Sequence, residues 1–236
     1  MQDLVTLALG WPAYCLAMAC LGSALAYMTA FAADVAETLP EDGLLLPEMV
    51  RAVVDTRAPN CGRMWPVALS AVVCGLLPLV LTVSPAVLAL FVVLAVPASI
   101  MDVRLMIIPE EFTWALLFSG ALLSPWHFGA QDAIIGAAIA CATTWAVMAG
   151  VELRTGLPLR SGADIAAAAA GGAWVGMVAS GVFVLISCFV FIVYSLAAGA
   201  LPGNRRFVPM GPALLVSIPL APLATPWIEG LVARAL

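Results

Sequence analysis

The chain has 236 residues, 64% of them hydrophobic and only 10% charged, with a net charge of −5 and a mean hydropathy of +1.11. Soluble domains are about 25% charged, so water is not the main solvent of this protein, and the acidic balance argues against a nucleic-acid partner. All nine basic residues are arginine, which excludes lysine chemistry, and the single histidine, His127, leaves no material for a histidine relay or most zinc sites.

The fold class expected from this composition is an all-α polytopic membrane protein, embedded in the lipid bilayer as a single domain over residues 1–236. A helix needs about 20 apolar residues to cross the hydrocarbon core. Charge-free runs and turn signals predict eight spans, near residues 10–33, 67–83, 86–101, 112–125, 133–151, 164–180, 182–200 and 210–227. The first begins in MQDLVTLALG, whose acid stands where a signal peptide carries basic residues, and its apolar run is too long for a cleaved segment. It is read as a retained span. Ser84-Pro85, the segment SPWHFGAQ and Ser180-Gly181 are the expected turns on one side. The loop 34–66 and the segments 102–111, 152–163 and 201–209 fall on the other.

Arg51, Arg57, Arg63, Arg104, Arg154, Arg160, Arg205 and Arg206 all lie on that second side, and only Arg234 lies opposite. Arginine-rich short loops mark the cytoplasmic face, so both termini are expected on the non-cytoplasmic side. His127 reads as a residue of a short polar loop. Of the six cysteines, Cys15, Cys20, Cys74, Cys141 and Cys188 lie in apolar runs, and with Cys61 they form no CxxC pair. A structural zinc site and a dithiol motif therefore have no support, and no metal or cofactor is expected.

Two acids stand at the cytoplasmic ends of spans. Asp102 closes the apolar run in PASIMDVRLMIIPEEFTWALL, and Pro109 follows seven residues later, where it can start the next helix. Asp164 opens a stretch with no further charge until Arg205. Each has a structural reading: Asp102 as a solvated boundary residue paired with Arg104, Asp164 as a helix N-cap. The functional reading treats them as a pair. Two carboxyls brought together share one proton, so one can draw a proton from water while the other donates to a peptide carbonyl oxygen. That chemistry cuts an amide without a serine, thiol, metal or histidine.

At these residues the chain resembles the type IV prepilin peptidases, a family of membrane aspartyl proteases. Asp102, Pro109, Glu110 and Thr113 in DVRLMIIPEEFT match its first motif. Asp164, Gly172, Ala173, Trp174 and Gly176 in GADIAAAAAGGAWVG match its second, and the acids are 62 residues apart, close to the family spacing. Gly22 and Ser23 in LGSALAY, the remnant RAPNCGRMWP, and Gly211 and Pro212 in VPMGPALLV follow the family's remaining order. The sequence departs where Ser161, Ala163 and Ala166 replace two glycines and a lysine, which puts the tuning of the acid pair in question; Arg160 is a candidate replacement charge. Around Ala58 and Cys61 the two CxxC pairs of bifunctional members are missing, so the reduced loop 34–66 implies a peptidase without N-methyltransferase activity.

The resemblance implies Asp102 and Asp164 as catalytic residues. It implies a prepilin or pseudopilin N-terminal segment as substrate, and a place in the bacterial inner membrane with the site facing the cytoplasm. Trp174, Phe112 and Trp114 are candidates to line the substrate's path or to act as packing residues. Gly172 and Gly176 have the spacing of a close helix contact. Glu37, Glu41, Asp42 and Glu48 could attract a basic leader or simply solvate a loop. The alternatives are a catalytically degenerate relative serving pilus or secretion assembly, motivated by the altered second motif, and a presenilin-like protease, motivated by Pro212-Ala213-Leu214.

Overall fold

A computed structural model describes residues 2–38, 61–80, 84–127, 129–156, 161–199 and 208–235. Among them the fold is all helical, with α1 (Gln2–Thr38), α2 (Cys61–Val80), α3 (Pro85–Leu105), α4 (Glu110–Leu123), α5 (Ala130–Thr155), α6 (Gly162–Gly199) and α7 (Gly211–Ala235). Five contain stretches long and apolar enough to cross a membrane: Gly10–Glu37, Pro85–Leu105, Ala130–Thr155, Gly162–Leu196 and Gly211–Gly230. The chain is a multi-pass membrane protein. Residues 39–60 of the expected cytoplasmic loop lie outside the described residues, with Arg51, Arg57, Glu41, Asp42, Glu48 and Ala58; so do Arg160, Arg205 and Arg206.

The count of eight full spans is not what the helices give. α2 offers only the shorter apolar stretch Met64–Leu79. α4 has 14 residues, or about 21 Å of rise, against a hydrocarbon core of about 30 Å. The sixth and seventh expected spans belong to one helical element, and Ser180-Gly181 lies inside it rather than at a turn.

The chain forms two compact units, Met1–Leu105 and Met106–Leu236. In the first, α1 packs along both α2 and α3. A Cβ on Gly22 would lie 2.6 Å from the Cys74 sulfur, and one on Gly75 would lie 3.1 Å from the Ala19 Cβ. Numbers rise along α1 as they fall along α2, so these two helices are antiparallel. Ala26 and Ala30 of α1 meet Ile100 of α3 in a buried cluster flanked by Val67 and Val96. Ser84 starts α3 as a cap, accepting the Val87 N–H at 3.4 Å, and Pro85 occupies the first helical position, where its missing N–H costs nothing.

In the second unit the most extensive packing joins α5 to α6, and α7 covers α6 with a buried row of Ala213, Leu214, Ser217, Ile218 and Ala221. α6 is bent at Gly176, whose φ of 75° and ψ of 179° fall in a region open almost only to glycine. The bend is sharp. A Cβ on Gly171 would lie 2.3 Å from the Phe183 ring, yet twelve residues of straight helix span about 18 Å. The two limbs, residues 162–175 and 177–199, correspond to the two expected spans, with the break displaced from Ser180-Gly181 to Gly176.

Three features hold the bend. Asp132 Oδ1 accepts the Met177 N–H at 2.9 Å, capping the second limb with a negative charge at its N-terminus. The Ser180 hydroxyl lies 2.6 Å from the Gly176 carbonyl oxygen and 3.0 Å from that of Gly136, its one proton shared between them. Gly136 of α5 also meets Gly172 backbone to backbone: a Cβ on either would lie within 2.5 Å of the other's carbonyl oxygen. The Gly172/Gly176 spacing is thus a close helix contact.

Gly176→Ala is expected to destabilise the protein by about 1–3 kcal/mol from backbone strain alone. Its new Cβ would also meet the His127 Cβ at 2.7 Å and Asp132 Oδ2 at 2.9 Å. Thermal unfolding of purified protein in detergent should show a lowered midpoint; an unchanged midpoint would mean that this bend does not need glycine.

Candidate active site

The second motif is built on the short helix pair of α4 and the first limb of α6. Trp174, 1% exposed, lies against Gly120, where a Cβ would come within 2.6 Å of the indole Cδ1. Its Nε1–H donates to the Leu116 carbonyl at 2.8 Å, and its own carbonyl accepts the Ser124 hydroxyl at 2.5 Å. The Trp126 ring lies 6.0 Å away at 54°. Trp174 is therefore a packing rivet between α4 and the first limb of α6. Trp114 is exposed and stacks on Phe118 at 6.0 Å, while Phe112 is half-buried.

These contacts fix direction as well as distance. The Trp174 backbone nitrogen faces Gly120 and its carbonyl faces Ser124, so the first limb of α6 runs parallel to α4. Ten residues toward the N-terminus from Trp174 is Asp164, and ten from Gly120 is Glu110. The two acids therefore stand at about the same level, about 15 Å from the tryptophan. Gly136 and Ala140 of α5 meet the limb in reverse order, at Gly176 and Gly172, so the end of α5 arrives at the same side. Sequence reasoning put 102–111 and 152–163 together, and within this unit the described residues of those segments do share one end.

Asp164 sits in the first turn of α6 and is half-buried. It is not the N-cap. That place belongs to Ser161, whose carbonyl accepts the Ile165 N–H at 3.2 Å and whose hydroxyl accepts the Asp164 N–H in a long 3.4 Å bond. Serine followed three residues later by an acid is a capping-box arrangement. Ser161 and Ala163 do not adopt positive φ, so the residues that replace glycine in the motif fit the backbone they occupy. Ala166, in place of the lysine, is exposed.

Asp102 lies in the first unit, in the last turn of α3, and is 5% exposed. The expected solvated boundary acid is instead buried. Arg104, its expected partner, reaches Asp34 of α1, with Nη1 3.5 Å from Oδ1. Asp34 and Glu37 are thus part of α1 and not of the loop assigned to them. After α3 the chain passes through Met106 at φ 57°, the one non-glycine residue with positive φ among those described. Pro109 ends this link as the N-cap of α4, and its carbonyl accepts from the Thr113 N–H at 3.3 Å and hydroxyl at 3.4 Å.

His127 serves the turn between α4 and α5. Its Nδ1 accepts the Gly129 N–H at 3.1 Å, so Nε2 bears the proton and donates to the Gly120 carbonyl at 2.8 Å. Sequence reasoning missed the parts played by Asp132, Ser161, Ser124 and Asp34. Only Ser161 had a local signal, its spacing to Asp164. No group of three metal-ligating side chains occurs among the described residues.

The family model described as "Type IV leader peptidase family" matches residues 86–196. That segment starts within α3 and ends within the second limb of α6, so it contains both Asp102 and Asp164. No curated protein and no solved structure matches the chain.

Replacing Trp174 by Phe removes the indole donor and is expected to cost about 1 kcal/mol; Trp174→Ala, which leaves a cavity beside Gly120, is expected to cost about 3–5 kcal/mol. Unfolding in detergent should rank them in that order. Equal stability of wild type and Trp174→Ala would contradict the rivet.

Proposed function

From the match of residues 86–196 to the type IV leader peptidase family model, we propose that this protein belongs to that family and is an intramembrane aspartyl endopeptidase. It removes the short cytoplasmic leader of a prepilin or pseudopilin. Asp102 and Asp164 are its catalytic residues. The observation that carries the reading is that one family segment holds both acids, each in the terminal turn of a helix.

In the mechanism, the carboxyl pair holds one proton between its members. The ionised member takes a proton from water as the oxygen attacks the scissile carbonyl carbon, and the protonated member donates to the carbonyl oxygen. Collapse of the tetrahedral intermediate breaks the C–N bond, with a proton passed to the leaving amine. The acids carry every proton movement, which suits a chain with one histidine that is occupied by a turn. The arginine-rich segments support a site on the cytoplasmic side of the membrane, and the family match supports a bacterial inner membrane as its place. A loop without CxxC pairs supports peptidase activity without N-methylation.

Co-expression with prepilins, followed by gel shift, tests the proposal. Wild type is expected to remove the leader, and Asp102→Asn and Asp164→Asn each to lower the rate by at least about 100-fold. Processing retained by either variant would exclude the two-acid mechanism. Absence of processing by wild type with every pilin encoded nearby would favour an assembly subunit, the reading that the altered motif around Asp164 motivates.

A further inference from the structure

We propose that Asp34 is a positioning residue for Asp102: through its ion pair with Arg104 it fixes the last turn of α3, which carries the buried carboxylate. The inference rests on the reading of Asp102 as a catalytic acid. The last turn of a helix lacks part of its backbone bonding and frays. Asp102, three residues before the end of α3 at Leu105, therefore stands where a helix alone holds a side chain least firmly.

The contact between α1 and α3 supplies the missing restraint. Ala26, Ala30 and Asp34 are spaced four residues apart on α1, and Val96, Ile100 and Arg104 are spaced likewise on α3. Residues at that spacing share a helix face. Ala26, Ala30 and Ile100 form a buried cluster, with Val96 packed against it. The Arg104–Asp34 pair, at 3.5 Å, is the next rung of the same seam. Its side chains are 20% and 13% exposed, so solvent and salt screen it less than a surface pair, and removing one partner leaves a poorly solvated charge. Beyond it, Met106 turns the chain out of the helix in a left-handed conformation, which costs energy in a non-glycine residue and persists only where neighbours enforce it. Clamp and turn together define where α3 ends.

Two measurements on the full-length protein in membranes test this. The first is steady-state leader removal from a prepilin, normalised to inserted protein. Asp34→Asn is expected to lower kcat about tenfold with KM unchanged, because a clamp on a catalytic acid acts on the chemical step. Asp34→Glu and the charge swap Asp34→Arg with Arg104→Asp should recover most of that loss. The second measurement does not depend on activity. Asp102→Cys is labelled with a water-soluble maleimide and modification at position 102 is quantified by peptide mass. Labelling should rise about tenfold when Asp34→Asn is added and fall back with the charge swap.

Wild-type kcat in Asp34→Asn, or a loss that neither Asp34→Glu nor the swap relieves, overturns the inference while the peptidase reading stands. Unaltered labelling at position 102 overturns it as well. If wild type removes no leader but labelling responds as stated, the clamp holds and the peptidase reading fails.

Discussion

In the second unit, α5 and the first limb of α6 meet backbone to backbone, and this close approach bears on how the limb is held. Gly136 on α5 and Gly172 on α6 leave no room for a Cβ on either, and Gly176 adopts a conformation open almost only to glycine. The bend that results would expose the first N–H groups of the second limb. Asp132 answers the Met177 N–H, and Ser180 bridges the two glycine carbonyls. With the first limb ended there, Trp174 locks it in parallel to α4 through Gly120 and Leu116. Asp164 is then carried to the level of Glu110. A glycine contact at one end of the limb thus sets the height of an acid about three turns away.

Much of this was legible in the sequence because composition in a membrane is nearly binary. Long apolar runs mark helices, and Ser84-Pro85 and Pro109 mark their starts by rules that depend only on local backbone chemistry. The break in α6 was placed four residues late because Ser180-Gly181 looks like a turn from neighbouring residues alone. What selects Gly176 is its surroundings, His127 and Asp132 from the preceding turn and helix, which no local window contains. The same limit hid the capping role of Asp132, 45 residues from the N–H it binds. Asp34 was read as the start of a loop because a charge normally ends a span; α1 instead continues to Thr38, with Asp34 paired to Arg104.

The two acids stood out in the sequence as candidates through their motifs, and the structure adds their local surroundings. An N-cap was a sound expectation for an acid at a helix start, yet Ser161 takes that position and leaves the Asp164 side chain in the first turn. This bears on the altered motif. A serine where the family pattern has glycine is here a working part of the helix start, and the backbone at Ser161 and Ala163 needs no glycine. The absent lysine is a different matter, because Ala166 is exposed and supplies no charge. The chemistry attributed to the acids has to proceed with arginine as its only permanent cation.

The central claim is that the carboxyls at 102 and 164 meet in the working protein. Cysteines introduced at both positions, in a variant whose six native cysteines are replaced, test it directly by oxidative disulfide formation in membranes. A disulfide requires Cα atoms within about 7 Å. The account predicts a crosslink between positions 102 and 164 on mild oxidation, strengthened when a prepilin is present; failure to form it, with or without prepilin, while each single cysteine remains reactive to maleimide, would contradict it.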